Sequence, residues 1–296
     1  MTQSNTAEAR LSSWRILLSN PVTVVSGALL LLVALIAVTA NWITPYGIND
    51  IDVPNALQSP SAAHWFGTDE LGRDVLSRVL VAIQASMQVA VVSVVFAAVV
   101  GVTVGLVAGY WGGWLDAVFM RIVDVMFAFP VLLLALAVVA ILGPGVTTTI
   151  LAIGIVYTPI FARVARASTL SVRVEPYVAA SRTMGTGHGY ILRRHILPNI
   201  AGPLIVQTSL SLAFAILSEA ALSFLGLGIQ PPQPSLGRMI FDSQGFVTLA
   251  WWMAVFPGVA IFLTVLAFNL FGDGLRDVLD PKQRTIAETR KTGGSA

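Results

Sequence analysis

Three histidines, His64, His188 and His195, are the residues of this 296-residue chain best suited to hold a metal or relay a proton. A zinc pair on one helix face needs i, i+4 spacing with a carboxylate at motif distance, and these three lack both. Phosphate chemistry fares no better. A nucleotide-cradling loop ends in Gly-Lys-Ser or Gly-Lys-Thr, yet the only lysines, Lys282 and Lys291, follow Pro281 and Arg290. With no cysteine there is neither a thiolate ligand nor a disulfide. The chain therefore offers no catalytic, metal or cofactor site of its own, and any nucleotide chemistry belongs to a separate chain.

Two other features have functional potential: a polar loop and a lone carboxylate. The loop is EPYVAASRTMGTGHGYILRRHILPN, residues 175–199, a basic, glycine-containing segment between two membrane-length apolar runs. It reads as two short helices broken at Gly185, where a positive-φ turn suits glycine. The first, around Val178 to Met184, presents Ala179, Ala180 and Ser181 beside Tyr177 and Met184, with Arg173 and Arg182 placed to pair with acidic groups on a rim. Small residues flanked by a few anchors suit helix-in-groove recognition by a partner. Pro198 opens the next span, where its missing N–H costs little. Arg163 and Arg166, one turn apart before the loop, are expected to snorkel to lipid phosphates. The carboxylate is Glu219, the one acid at membrane depth, at helical spacing with Thr208, Ser211, Ala215 and Ser218. That weakly polar stripe is a candidate lining for a translocation path, with a packing role for Glu219 as the alternative.

Positioning these groups is the task of a membrane bundle. The chain is 56% hydrophobic and 11% charged, far from a soluble domain, where about a quarter of residues are charged. Six runs approach the ~20 apolar residues a helical span needs: 22–41, 83–110, 117–142, 146–168, 200–226 and 249–271. The fold class is all-α, a polytopic six-helix bundle. The first run is too long for a signal-peptide core and is kept as an uncleaved helix. Of the 17 Lys and Arg residues, only Arg73, Arg78 and Arg238 fall on one side; the rest share the side of the N-terminus, the 169–199 loop and the C-terminus. By the positive-inside rule both termini and that loop are cytoplasmic. The expected organisation is a cytoplasmic segment 1–21, a transmembrane domain 22–271 with an external loop 42–80, and a cytoplasmic tail 272–296. The +2 net charge is thus a transmembrane asymmetry and no nucleic-acid footprint. Gly101, Gly105 and Gly109, every fourth residue, form a small-residue face for close helix packing.

The external loop carries HWFGTDELGRDVLSRVL, residues 64–80, where Asp69, Glu70, Arg73 and Asp74 crowd around two glycines. It reads as an interfacial amphipathic helix with Trp65 and Phe66 at the headgroups, or as a receiver for an external partner.

The 175–199 loop resembles the coupling loop of ATP-binding-cassette (ABC) importer permeases, whose form Glu-Ala-Ala, three residues, Gly, nine residues, Ile, one residue, Leu-Pro falls on Ala179-Ala180-Ser181, Gly185, His195 and Leu197-Pro198. Ala179 in place of Glu and His195 in place of Ile look like the dipeptide, oligopeptide and nickel branch. The strings FGTDELGRD, LSEAALSFLGLG and FNLFGDGLRDVLDP resemble the same branch, the first of them its second, C-type permease. The resemblance implies a type I importer-like permease domain in the inner membrane, paired with a homologous permease, two cytoplasmic ATPase subunits that carry ATP and Mg, and an external solute-binding protein. It implies import of dipeptides, oligopeptides or a related small solute by alternating access. A stand-alone secondary transporter or channel is the rival; it would want intramembrane coupling charges and an internal repeat. A membrane scaffold would not need the loop.

Overall fold

The structure is a computed structural model that describes residues 20–279. Residues 1–19 and 280–296, with Arg10, Arg15, Lys282, Arg284, Arg290 and Lys291, lie outside the described residues, as do most of the expected terminal segments. Helix α1 (Pro21–Ile43) starts where Asn20 Oδ1 accepts from the Val22 amide at 3.0 Å and a proline occupies the first turn. Helix α2 (Val75–Trp111) is 37 residues long and is capped by Asp74, whose Oδ2 accepts from Ser77 N at 2.8 Å. It begins at Val75, eight residues before the expected span, so the 64–80 segment is a folded loop followed directly by the long helix and not an interfacial helix.

The expected third span is a bent pair. Helix α3 (Gly113–Phe127) and helix α4 (Val131–Leu142) meet at 92°. Pro130 disfavours helical geometry at Phe129, and the break follows. At 1.5 Å per residue, α4 is only about 18 Å long, short of a ~30 Å hydrocarbon core. Among the described residues there are therefore five helices long and apolar enough to span, or six if the bent pair is taken as one. Helix α5 (Val146–Val172) returns after two positive-φ glycines, Gly143 and Gly145.

The α2–α5 seam is the spine of the bundle. A Cβ on Gly101, Gly105 or Gly109 would lie 2.7, 2.7 and 2.8 Å from the Cβ atoms of Phe161, Ala165 and Thr169. The four-residue step on one helix matches the same step on the other, in the same direction, so the two helices run parallel at backbone contact. The polar loop holds α6 (Pro176–Thr183) and α7 (His188–Ile191), and then come α8 (Leu197–Phe224), the short α9 (Leu236–Asp242) and α10 (Trp252–Leu279). Helix α10 continues past 271, the expected start of the tail, because small residues there are packed: Gly272 lies against Ser209 and Gly274 against Thr23. The central apolar core joins Val89, Val94 and Ala97 of α2 to Ile153 and Phe161 of α5 and Ile216 of α8. Among the described residues there is no strand, only an isolated bridge between Thr68 and Asp74.

Candidate functional site

The polar loop is built on the far end of the α2–α5 seam. Arg173 closes α5 and donates from Nη1 to the Gly109 carbonyl at 2.7 Å, so it locks the end of α2. Gly109 makes room for Thr169, and Tyr110 follows it at the end of α2. The Tyr110 hydroxyl lies 2.8 Å from His188 Nδ1, and the Arg182 guanidinium sits over the Tyr110 ring at 4.7 Å. Arg166 and Arg163 also depart from expectation. Arg166 grips Asp116 with two nitrogens, Nη2 to Oδ2 at 2.6 Å, and Arg163 donates to Asp124 at 2.8 Å over the Phe127 ring. Bidentate geometry makes Arg166–Asp116 the stronger fastening. The sequence signal was available: two arginines a turn apart and two acids in an otherwise apolar run.

Helix α6 divides into a holding face and an exposed face. Val178 is fully buried with Tyr110, Ala165, Ile191, Ile196 and Ile200. Ser181 Oγ donates to the Tyr177 carbonyl at 2.9 Å and lies 3.3 Å from His195 Nε2. Val178, Ser181 and His195 thus fasten the loop, contrary to the expectation that Ser181 belongs to the presented patch. The presented residues are Tyr177, Ala179, Ala180, Arg182 and Met184, the last 76% exposed. Gly185 has φ +76°. Its amide donates to Arg182 O at 2.9 Å and the Thr186 amide to Ser181 O at 3.1 Å, a paired C-terminal closure that needs a left-handed residue at this position.

From His188 the chain is one helical run to Phe224, interrupted by a π-turn at Leu192–Ile196. Pro198 lies within this run rather than at its start. The wider turn is where the helix absorbs the missing proline N–H, and, one residue on, Asn199 Nδ2 donates to the His195 carbonyl at 2.6 Å. Periodicity cannot show a one-residue π insertion.

At the other end of α2, FGTDELGRD forms a self-bonded loop. Asp69 Oδ1 accepts from the Leu71 and Arg73 amides, each at 2.9 Å, and Oδ2 from Arg73 Nε at 2.6 Å. Arg73 Nη2 donates to Glu70 Oε1 at 2.9 Å. Asp74 bonds Ser77 and His64. Trp252 Nε1 donates to Thr68 O at 3.0 Å, and Phe66 stacks on Phe256 at 3.8 Å, clamping the loop to α10. Asp69 and Asp74 are therefore interior struts and unavailable to a partner; Glu70 and Arg73 border open space.

The proposed path stripe is mostly interior. Ser211, Ala215 and Glu219, on one face of α8, are buried within this chain, and Thr208 and Ser218 are half-buried. The Ser218 hydroxyl pairs with Tyr157 OH at 3.1 Å. Glu219 is a three-element junction. Ser86 Oγ of α2 donates to Oε2 at 2.5 Å, Ser223 Oγ donates to Oε1 at 2.7 Å, and Ser223 Oγ in turn accepts from the Ile229 amide. The packing alternative for Glu219 is what this geometry supports. Glu219→Gln is expected to change stability by no more than ~1 kcal/mol, whereas Glu219→Ala, which orphans two hydroxyls and opens a void, is expected to cost ~3 kcal/mol. Thermal unfolding of the assembled protein checks this; equal stability of both variants and wild type would remove the junction role.

Residues 101–285 match the family described as binding-protein-dependent transport system inner membrane component. Residues 11–60 match the N-terminal TM domain of oligopeptide transport permease C. The chain is 45% identical over 251 residues to a dipeptide transport system permease protein, DppC, of Alkalihalophilus pseudofirmus, covering 85% of this chain and 83% of the relative. It is 46% identical over 270 residues to a glutathione transport system permease protein, GsiD, of Escherichia coli, covering 91% and 89%. A solved structure of the MetNI methionine ABC transporter in an inward-facing form is similar in fold, with TM-score 0.58, 19% identity and coverage of 69% and 97%.

Proposed function

The chain belongs to the family of binding-protein-dependent transport system inner membrane components, and from that premise we propose that its exposed α6 patch is the grip for a cytoplasmic ATPase. It is a multi-pass ABC importer permease, not an enzyme; ATP hydrolysis in such systems is carried by a separate subunit. The proposal extends to a pairing with a homologous permease, two ATPase subunits carrying ATP and Mg, an external solute-binding protein at the 44–74 end, and both termini inside the cell. Dipeptides or short peptides of glutathione size are the proposed cargo, in keeping with the relatives' names.

The observation that carries this reading is the division of α6. Inward-facing Val178 and Ser181 fix the helix to α2, α5 and α8, while Tyr177, Ala179, Ala180, Arg182 and Met184 are exposed, Arg182 lying also over the Tyr110 ring. A patch held rigidly from behind transmits displacement; a slack one would absorb it. A push on α6 passes through Val178 and the Tyr110–His188 pair into both α2 and α8. The small Ala179 and Ala180 allow close backbone approach, and Tyr177 and Met184 supply the anchors.

The reading is tested by reconstitution. The purified chain alone should not bind ATP, and substrate-stimulated hydrolysis should appear only when the sister permease, two ATPase chains and the binding protein are added. A reporter fused after Ala296 should be active only inside the cell. Saturable ATP binding by the isolated chain, or an outside-active reporter, would overturn the assignment.

A further inference from the structure

With the α8 stripe turned into the bundle, exposed charge at membrane depth is found on α3 and α5. Two ion pairs, Asp116 with Arg166 and then Asp124 with Arg163, set α3 antiparallel to α5. Asp124 stands eleven residues beyond Gly113, about 17 Å at 1.5 Å per residue. Its pair with Arg163 closes at 2.8 Å, yet the two side chains are 57% and 53% exposed. Arg121, three residues earlier, is exposed and has no ion-pair partner among the described residues. Ala117, Arg121 and Asp124 recur at four- and three-residue steps, so they share one exposed face, and exposed Ala128 continues it at the helix end. Val118, Ile122 and Val125 form a separate apolar row, also exposed. The helix thus presents one surface suited to lipid or a packed neighbour and another suited to neither. Arginine can snorkel; the short Asp124 side chain cannot. A charge at membrane depth belongs in a bundle interior or against a water-filled cavity, and Asp124 lies outside the interior of its own chain.

Resting on the importer reading, we infer that the Ala117–Arg121–Asp124 face of α3 borders the water-filled passage, and that Arg121 there takes the C-terminal carboxylate of a peptide solute. Two cations stand against one anion on this surface, so it selects a negative group. Arg163 is committed to Asp124 and lies over the Phe127 ring at 4.0 Å, which makes Arg121 the cation left to a ligand. An uncommitted guanidinium offers a carboxylate two parallel N–H donors. Ala117 and Ala128 leave room beside it for the rest of the solute. Every peptide carries this carboxylate whatever its side chains, so one arginine can serve varied cargo.

The test uses the complete importer. This chain has no cysteine, so single cysteines report on each face of α3 in nanodiscs. A negatively charged methanethiosulfonate is expected to label Ala117→Cys and Ala128→Cys about tenfold faster than Val118→Cys and Ile122→Cys, because only the first two meet water. Side chains tilt toward a helix N-terminus, so a ligand on Arg121 covers position 117. Dialanine should therefore slow the labelling of Ala117→Cys, and its C-terminal amide should not. That protection should vanish when Arg121→Ala is added and persist in part with Arg121→Lys, which keeps the charge but not the fork. In proteoliposomes Arg121→Ala is expected to cut peptide uptake about tenfold, the scale of a lost charge-assisted hydrogen bond. Labelling of Ala117→Cys and Ala128→Cys no faster than of the apolar row would overturn the inference and give the face to lipid or to the sister permease. Labelling without protection by dialanine would also overturn it, leaving a passage with no carboxylate site. Both results spare the importer reading. A wild-type complex that accumulates neither dialanine nor glutathione when supplied with ATP and binding protein would instead sink that reading.

Discussion

Gly105→Leu is expected to leave little assembled protein. A Cβ alone would sit 2.7 Å from Ala165 Cβ and 2.8 Å from the Arg166 amide nitrogen, and closer still to the Ala162 carbonyl. Backbone cannot step aside as a flexible side-chain tip can. Overpacking in a relaxed core costs ~1 to 3 kcal/mol, and here the whole seam must separate. The damage spreads, because the same seam carries Gly109 to Arg173 and Asp116 to Arg166. Gly105→Ala is the graded comparison and should also destabilise, less severely. The measurement is yield and thermal stability of the purified importer complex. Wild-type stability for Gly105→Leu would mean that α2 and α5 are not in backbone contact.

The second large effect separates transport from folding. Gly185→Val and Ala180→Glu should both leave the helices inserted and abolish uptake. At Gly185 no atom lies within 4 Å of an added Cβ, so the cost is backbone strain alone, ~1 to 3 kcal/mol for a β-branched residue held at φ +76°. That is too small to unfold the bundle, yet it competes with the two hydrogen bonds that close α6. Ala180 is exposed and bonds nothing through its side chain, so a bulky charge there disturbs only what docks on it. ATPase chains should bind weakly or hydrolyse ATP without moving solute. Wild-type uptake and wild-type ATPase association in both variants would show that residues 175–199 are not the coupling element.

Much of this architecture was legible because it rests on composition and on glycine. The apolar runs marked the spans, the Gly101–Gly105–Gly109 repeat marked the tight seam, and Gly185 marked the break in the loop. What escaped depends on which way a side chain turns. Val178 and Ser181 differ little in sequence context from Ala179 and Ala180, yet two face in and two face out, and only the three-dimensional position of Ile191, Ile196 and His195 decides it. Asp69 and Asp74 look like surface charges until their bonds to neighbouring amides are seen. The bend at Phe129 was masked because hydropathy is averaged across it, although Pro130 stood in plain view. The Ser211–Ala215–Glu219 stripe is truly polar, but polarity within a bundle serves helix junctions as readily as a pore.

The run from His188 to Phe224 carries one further implication. Its apolar part begins near Ile200, so twelve residues, about 18 Å at 1.5 Å per residue, project beyond it toward α6. That projection is a crank arm. A tilt of roughly 10° about the bilayer surface sweeps its tip by ~3 Å, as follows from helix rise alone, and α6 is bolted to that tip. On the proposed coupling role of α6, stroke length scales with how far this helix extends past its apolar part, and shortening the overhang by a turn would alter both the stroke and the His188, Ile191 and His195 contacts that hold the loop.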